Sequence, residues 1–148
     1  MRTFFVFNIN NYFTYVYRDR PFRIYKILEE MYNAKNNDIV LSYKLFEQIA
    51  HSFNKNKLNE YVRYFYRDNV SYYNKVNSHI ICNNNEYTKL TINNSNLKIK
   101  SNINYPIFLD MLVKYSDNIF VCDFMNKDYF WLSKLVQKDC QKDKYAVK

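Results

Sequence analysis

Residues 3–9 read TFFVFNI, a run of aromatic and branched apolar side chains that ends just before Asn10 and Asn11. A short, continuous apolar run of this kind is typical of a strand buried in a sheet. An Asn side chain can accept hydrogen bonds from the free N–H groups at the start of a helix. We therefore predict an N-terminal core strand followed at once by a short helix, on which Phe13 and Tyr17 lie one turn apart.

Four further helices are predicted, because apolar residues recur at the three- and four-residue spacing of a single helical face. They begin at Pro21, at Ser42, near Leu58 and after Pro106, and the helix from Ser42 is expected to end near Phe53. We expect a loop over residues 33–38 between the first two of them.

The segment 87–101 alternates apolar and polar residues on two arms around the Asn-rich residues 93–96. Alternation with a period of two predicts a hairpin with one buried face and one wet face. The apolar positions are Leu90, Ile92, Leu97 and Ile99, and the polar positions are Lys89, Thr91, Lys98 and Lys100. Residues 118–124, NIFVCDF, predict another central strand, whereas residues 69–79 show no assignable pattern.

The predicted fold is α+β, a single domain with a small mixed or antiparallel sheet and helices packed on it. The sheet is expected to contain the N-terminal strand, the hairpin near residues 87–101 and the strand at 118–124. We place the domain at residues 1–136 and a charged, frayed tail at residues 137–148.

Composition removes several functional classes. The chain has 148 residues, 20% of them aromatic, and contains no glycine. Nucleotide-binding loops, kinase loops and the serine elbow of hydrolases need glycine at defined positions, so none occurs here in its usual form. The three cysteines, Cys82, Cys122 and Cys140, are too widely spaced for a metal knuckle and odd in number for a disulfide framework. We expect a reduced, cytoplasmic chain without metal or other cofactor.

The two histidines, His51 and His79, lie outside any catalytic motif. We interpret both as surface or core-edge residues, and we expect no enzymatic activity and no small-molecule substrate. No stretch approaches the roughly 18 apolar residues of a membrane span, so no membrane partner is expected.

The net charge of +8 favours an acidic partner, although the lysines are scattered along the chain. Two candidate surfaces compete for that partner. Aromatic residues next to cations suit single-stranded nucleic acid, and the predicted fourth helix carries Tyr61, Tyr64, Phe65 and Tyr66 with Arg63 and Arg67.

The second candidate surface is a protein-recognition face on the short first helix. It would contain Phe13 and Tyr17 beside Arg18 and Arg20, since Tyr and Arg are enriched at interface hot spots. From the pattern alone, Phe13 and Tyr17 are explained equally well as core residues.

Two blocks of the sequence resemble the SirA family, the sporulation inhibitors of replication of low-GC Gram-positive bacteria. The first block is FFVF at residues 4–7 with NNYFTYVY at residues 10–17. The second block is similar to the family's helix, strand, Asp-Phe-Asn turn and Tyr-x-Trp-Leu ending; it comprises Ile107-Phe108-Leu109, residues 119–124, Asn126, Tyr129 and Trp131-Leu132. The blocks cover about a third of the chain, and their order and spacing agree with the family.

The resemblance implies a non-enzymatic protein that binds domain I of the replication initiator DnaA and restrains initiation at the origin. The family's contact residues correspond to Phe13 and Tyr17, and a polar contact in its second main helix corresponds to a position near Leu45 to Gln48. The expected partner-binding residues are therefore Phe13, Tyr17, Arg18, Leu45 and Gln48. We do not expect the chain to bind nucleic acid directly. The alternative hypothesis for its function is a basic module that binds single-stranded nucleic acid.

The sequence departs from the family pattern at two places. Arg18-Asp19-Arg20 stands where the family usually has an aromatic residue, a glycine and an arginine, which alters the rim of the proposed surface. Ser133-Lys134 replaces the family's proline after Trp-Leu.

Overall fold

The computed structural model describes residues 1–34 and 39–133. Its strands are β1 (Arg2–Ile9), β2 (Ala50–His51), β3 (Tyr72–Lys75), β4 (Ser78–Cys82), β5 (Tyr87–Ile92), β6 (Leu97–Ser101), β7 (Ile119–Asp123) and β8 (Asp128–Trp131). Its helices are α1 (Asn11–Tyr17), α2 (Pro21–Tyr32), α3 (Ile39–Ile49), α4 (Lys55–Phe65) and α5 (Phe108–Tyr115). Within these residues the strands form one antiparallel sheet in the order β3-β4-β5-β6-β1-β7-β8, and β2 pairs with the end of β1. The α+β prediction is confirmed.

Strand β1 is buried on both faces of the sheet. Phe4 and Val6 enter one apolar cluster, and Phe7 and Ile9 enter a second cluster on the other face. Strand β7 repeats this alternation beside it. A strand covered on both sides reads as a continuous apolar run, which is why residues 3–9 could be recognised from the sequence.

Helices cover the two faces separately. Helices α4 and α5 pack on the face that carries Phe4 and Val6. Helices α2 and α3 pack on the face that carries Phe7 and Ile9, where α1 adds Phe13 and Tyr17 at the margin. None of the described helices is long and apolar enough to cross a lipid bilayer.

Helix α3 corrects the sequence prediction at both ends. It begins at Ile39, ahead of Ser42, and it ends at Ile49, short of Phe53. The early end has a clear cause, because residues 50–51 leave the helix to pair with the last residues of β1.

The sheet is larger than the sequence indicated. The unassigned residues 69–79 contain β3 and the start of β4, and β2 and β8 were not predicted either. Strand β3 is mostly exposed and polar, so it has no apolar pattern to detect. Residues 35–38 of the predicted loop, the predicted tail at 137–148 and Cys140 lie outside the described residues.

The turn between β7 and β8 is built around a buried carboxylate. Asp123 is 1% exposed and accepts hydrogen bonds from the backbone N–H and side-chain amide of Asn126, at 3.2 and 2.7 Å. The Nε atom of Arg2 donates to the same carboxylate at 2.9 Å, and Nη2 of Arg2 reaches Asp128. Burial raises the pKa of Asp123, but these hydrogen bonds outweigh it and the net pKa is lowered. Asp123, together with Asn126, therefore ties the β7–β8 turn to the start of β1.

The two carboxylates that share Arg2 provide a matched pair of variants. We expect Asp123→Ala to lower the free energy of unfolding by ~2–3 kcal/mol, because it removes the buried partner and leaves polar donors unpaired. Asp128 is largely exposed, so Asp128→Ala should cost less than ~1 kcal/mol. Urea denaturation of both variants measures the difference, and equal losses would contradict the structural role of Asp123.

His79 occupies a fully buried core-edge position between β4 and α4, whereas His51 is exposed. The ring nitrogen Nε2 of His79 lies 2.6 Å from Oδ1 of Asn59, and Nδ1 lies 2.7 Å from the hydroxyl of Tyr72. We assign the proton to Nε2, since Oδ1 can only accept. Burial, with a smaller effect of Arg63, lowers the pKa of His79 to about 4.

His79 should make stability depend on pH. Its folded-state pKa lies below its unfolded value, so the stabilisation is complete above about pH 6.5 and is lost as the pH falls towards 4. We expect the free energy of unfolding to fall by ~2 kcal/mol more between pH 7 and pH 4.5 in the wild type than in His79→Gln. Urea denaturation over this range tests the sign, and parallel curves for the two proteins would refute it.

Candidate functional site

Helix α1 is held at its start by Asn10. The Oδ1 atom of Asn10 accepts a hydrogen bond from the backbone N–H of Phe13 at 2.9 Å, which is the capping role predicted from the sequence. The Nδ2 atom of Asn10 donates to the backbone carbonyl of Gln48 at 2.5 Å, and its backbone N–H donates to the carbonyl of Ile49 at 2.8 Å. One residue thus joins the end of β1, the start of α1 and the end of α3.

Phe13 and Tyr17 form a stacked pair that is half-buried. Their ring centroids are 5.9 Å apart with 21° between the planes, as expected for residues one helical turn apart. The inner sides of the rings pack against the cluster beneath α2 and α3. Thr14 is buried, so α1 rests on the core through the position next to this pair.

Two residues beside this pair extend the surface. Tyr12 is 68% exposed and packs edge-on against Phe13, and Val16 is 41% exposed. Positions 12, 13, 16 and 17 share one side of a helix. We call the set Tyr12, Phe13, Val16 and Tyr17 the aromatic face.

Helix α3 contributes the neighbouring positions. Leu45 is 38% exposed and Gln48 is exposed, and with Leu41 they form a line along one side of α3. The contact of Gln48 with Asn10 uses the backbone carbonyl, so the exposed Gln48 side chain is separate from the capping interaction. The structure therefore brings Gln48, at the end of α3, to the start of α1, and Leu45 lies about one turn earlier on α3.

Positive charge follows the aromatic face. Arg18 is the C-cap residue of α1 and is exposed, as are Arg20 and Arg23. Cations are favourable at the C-terminal end of a helix, where the backbone carbonyls point outward. The surface therefore combines an apolar centre with a basic rim.

The alternative nucleic-acid surface on α4 is divided by the fold. Tyr66 is buried, and its hydroxyl donates to the carbonyl of Ile107 at 2.8 Å. Tyr64 is exposed, but the guanidinium of Arg67 lies 4.0 Å from the centre of its ring. The proposed stacking residues Tyr64 and Tyr66 are thus not presented together.

Sequence reasoning missed Tyr12 as a member of the aromatic face. Tyr12 directly precedes Phe13 on a helix that is too short to bury all its aromatic residues, which indicates that some of them are exposed. Periodicity alone does not show that Tyr12 is one of the exposed residues, because it does not show which side of a short helix rests on the core. Within residues 1–34 and 39–133, no group of His, Cys, Asp and Glu side chains is arranged to hold a metal ion.

Comparison with known proteins identifies a family. The model of the family described as "Sporulation inhibitor of replication protein SirA" matches residues 2–136, which include both N-terminal and C-terminal sequence blocks and the region between them. No curated protein matches the chain.

Proposed function

This chain belongs to the SirA family of sporulation inhibitors of replication, and we propose that it acts by binding domain I of the initiator DnaA through the aromatic face. The main support for this proposal is the stacked, half-exposed pair of Phe13 and Tyr17, which is flanked by the exposed side chains of Tyr12 and Val16. Large aromatic side chains near the centre of an interface supply most of its binding free energy.

The way α1 is anchored supports this role. Ordering a flexible segment on binding costs free energy, and a preformed helix avoids that cost. Here Asn10 fixes the start of α1, and the inner sides of the Phe13 and Tyr17 rings are already packed. The partner therefore meets a rigid surface.

The proposed inhibition is steric. A protein that covers part of domain I prevents the initiator from using that surface for assembly at the origin, and it needs no catalytic group. The exposed side of α3 with Leu45 and Gln48 would widen the contact, and Arg18 would lie at its rim.

Removing either aromatic anchor should abolish tight binding. We expect Phe13→Ala and Tyr17→Ala each to weaken the complex with DnaA domain I at least thirtyfold, which corresponds to ~2 kcal/mol. Both side chains are half-buried, so the loss of stability should stay below the ~3–5 kcal/mol of a fully buried Phe→Ala change. Calorimetric titration and thermal melting of each variant measure the two effects.

The matched control for these variants is Tyr64→Ala, which removes an exposed aromatic residue from the opposite side of the sheet. It should bind domain I like the wild type. A folded Tyr17→Ala protein with unchanged affinity would overturn the assignment of the aromatic face.

Gln48 and Asn10 separate binding from stability at the α1–α3 junction. Gln48→Ala keeps the backbone carbonyl that Asn10 uses, so it should weaken the complex several-fold without changing the melting temperature. Asn10→Ala removes the helix cap and should destabilise the protein by ~1 kcal/mol. If Gln48→Ala binds normally, the contact does not extend to this part of α3.

A further inference from the structure

Four lysines that are scattered in the sequence share one face of the sheet. Directly opposed residues of paired strands lie on the same side, and the register places Lys89 opposite Lys100 and Lys98 opposite Thr91. Lys75 lies in the row of Thr91 and Lys98, because Lys75 pairs with Ser78 and Ser78 pairs with Thr91. We call Lys75, Lys89, Lys98 and Lys100 the lysine face.

Helices α2 and α3 do not cover this part of the sheet. Among the described residues, the apolar cluster beneath them has no member from β3 to β6. A groove of about 300 Å³ lies there, lined by Lys89, Thr91, Asn93, Lys98 and Lys100.

The charges on the lysine face are not balanced within the described residues. No strand position on this side of β3–β6 is Asp or Glu, and no ion pair found in residues 1–34 and 39–133 involves any of the four lysines. Like charges directly opposite each other in a sheet are destabilising, so the Lys89–Lys100 pair carries a cost in the free protein. An anionic ligand would remove that cost.

Aromatic side chains border the same face. Tyr73 pairs with Ile80 in the row of Lys89, and Tyr87 precedes Lys89 by two residues on the same strand. Tyr73 is 44% exposed and Tyr87 is 37% exposed. Ile80, which lies between Tyr73 and Lys89 in this row, is buried, so the two tyrosines and the lysines provide the accessible part of the face. Exposed aromatic rings beside cations on a sheet are suited to stacking with unpaired bases.

The composition of the groove favours nucleic acid over an acidic protein. Lysine is depleted from protein–protein interfaces, whose centres are apolar, and no apolar side chain lines this groove. Contacts from lysine to phosphate, in contrast, dominate non-specific binding to nucleic acid. We propose that the lysine face binds the phosphate backbone of single-stranded nucleic acid, with Tyr73 and Tyr87 stacking on its bases.

The lysine face is separate from the aromatic face and from the aromatic and basic residues of α4. It shares no residue with the aromatic face of α1, and it differs from the α4 pattern of Tyr64, Tyr66, Arg63 and Arg67. The proposal also departs from the sequence-based expectation of no direct nucleic-acid binding, which rested on lysines that appeared dispersed.

Fluorescence anisotropy with the full chain and a labelled single-stranded DNA of about 20 nucleotides tests the proposal. Binding should weaken steeply between about 50 and about 200 mM salt. The triple variant Lys89→Gln, Lys98→Gln, Lys100→Gln should lose at least tenfold in affinity, and its slope of log K against log salt should be smaller by ~2, since each phosphate contact contributes ~0.7.

The control removes the same charge from the other side of the sheet, with Lys55→Gln, Lys57→Gln, Lys114→Gln. The slope of log K against log salt for this control should differ from the wild-type slope by no more than ~0.7, the contribution of one phosphate contact. Tyr87→Ala should weaken binding of the single strand at least threefold and leave binding of a duplex of equal length unchanged.

Other outcomes would overturn the proposal. No binding to the single strand at about 50 mM salt would do so, as would equal losses in the two triple variants, which would indicate net charge alone. Polyglutamate is the probe for an acidic protein partner. If it binds as tightly as the oligonucleotide, and if the lysine-face triple variant loses this binding, the face would be assigned to an acidic protein. If Tyr87→Ala binds the single strand with wild-type affinity, the proposed base stacking is wrong, and so is the proposed preference for single strands.

Discussion

The burial of β1 on both faces is the constraint on which the rest of the structure depends. Its side chains alternate between two apolar clusters, so one strand belongs to both cores. Each fully buried apolar side chain of this size contributes ~1.5–3 kcal/mol. Helices must therefore cover both sides of the sheet centre, and the β7–β8 turn is tied to the first residues of β1 through Arg2 and Asp123.

The position of the aromatic face follows from this strand. Strand β1 ends at Ile9, and Asn10 both caps α1 and bonds to the end of α3. Helix α1 is too short to be stable by itself, so these hydrogen bonds and the packing of Thr14 hold it. The residues that we propose as the binding surface thus lie on a small element whose geometry the core determines.

The helices cover different parts of the sheet to different extents. Near β1 and β7 the sheet is covered by helices on both sides. On the side that carries the lysine face, in contrast, α2 and α3 do not pack against β3–β6. The aromatic face and the lysine face are therefore different kinds of surface. One is an apolar centre with a basic rim, and the other is a polar groove whose lysines form no ion pair within residues 1–34 and 39–133.

The sequence by itself determined the elements whose signals are local. The apolar run of residues 3–9, the Asn10 cap, Pro21 at the first turn of α2 and the wet face of the 87–101 hairpin all follow from propensity and periodicity. The two terminal sequence blocks also sufficed to indicate the family. Only the tertiary structure decided how these elements are covered and combined: it buried Tyr66 away from Tyr64, ended α3 early by pairing β2 with β1, and left Phe13 and Tyr17 half-exposed. The reason is that periodicity shows which residues share a face, whereas strand register and packing between distant segments decide which faces meet each other and which meet solvent.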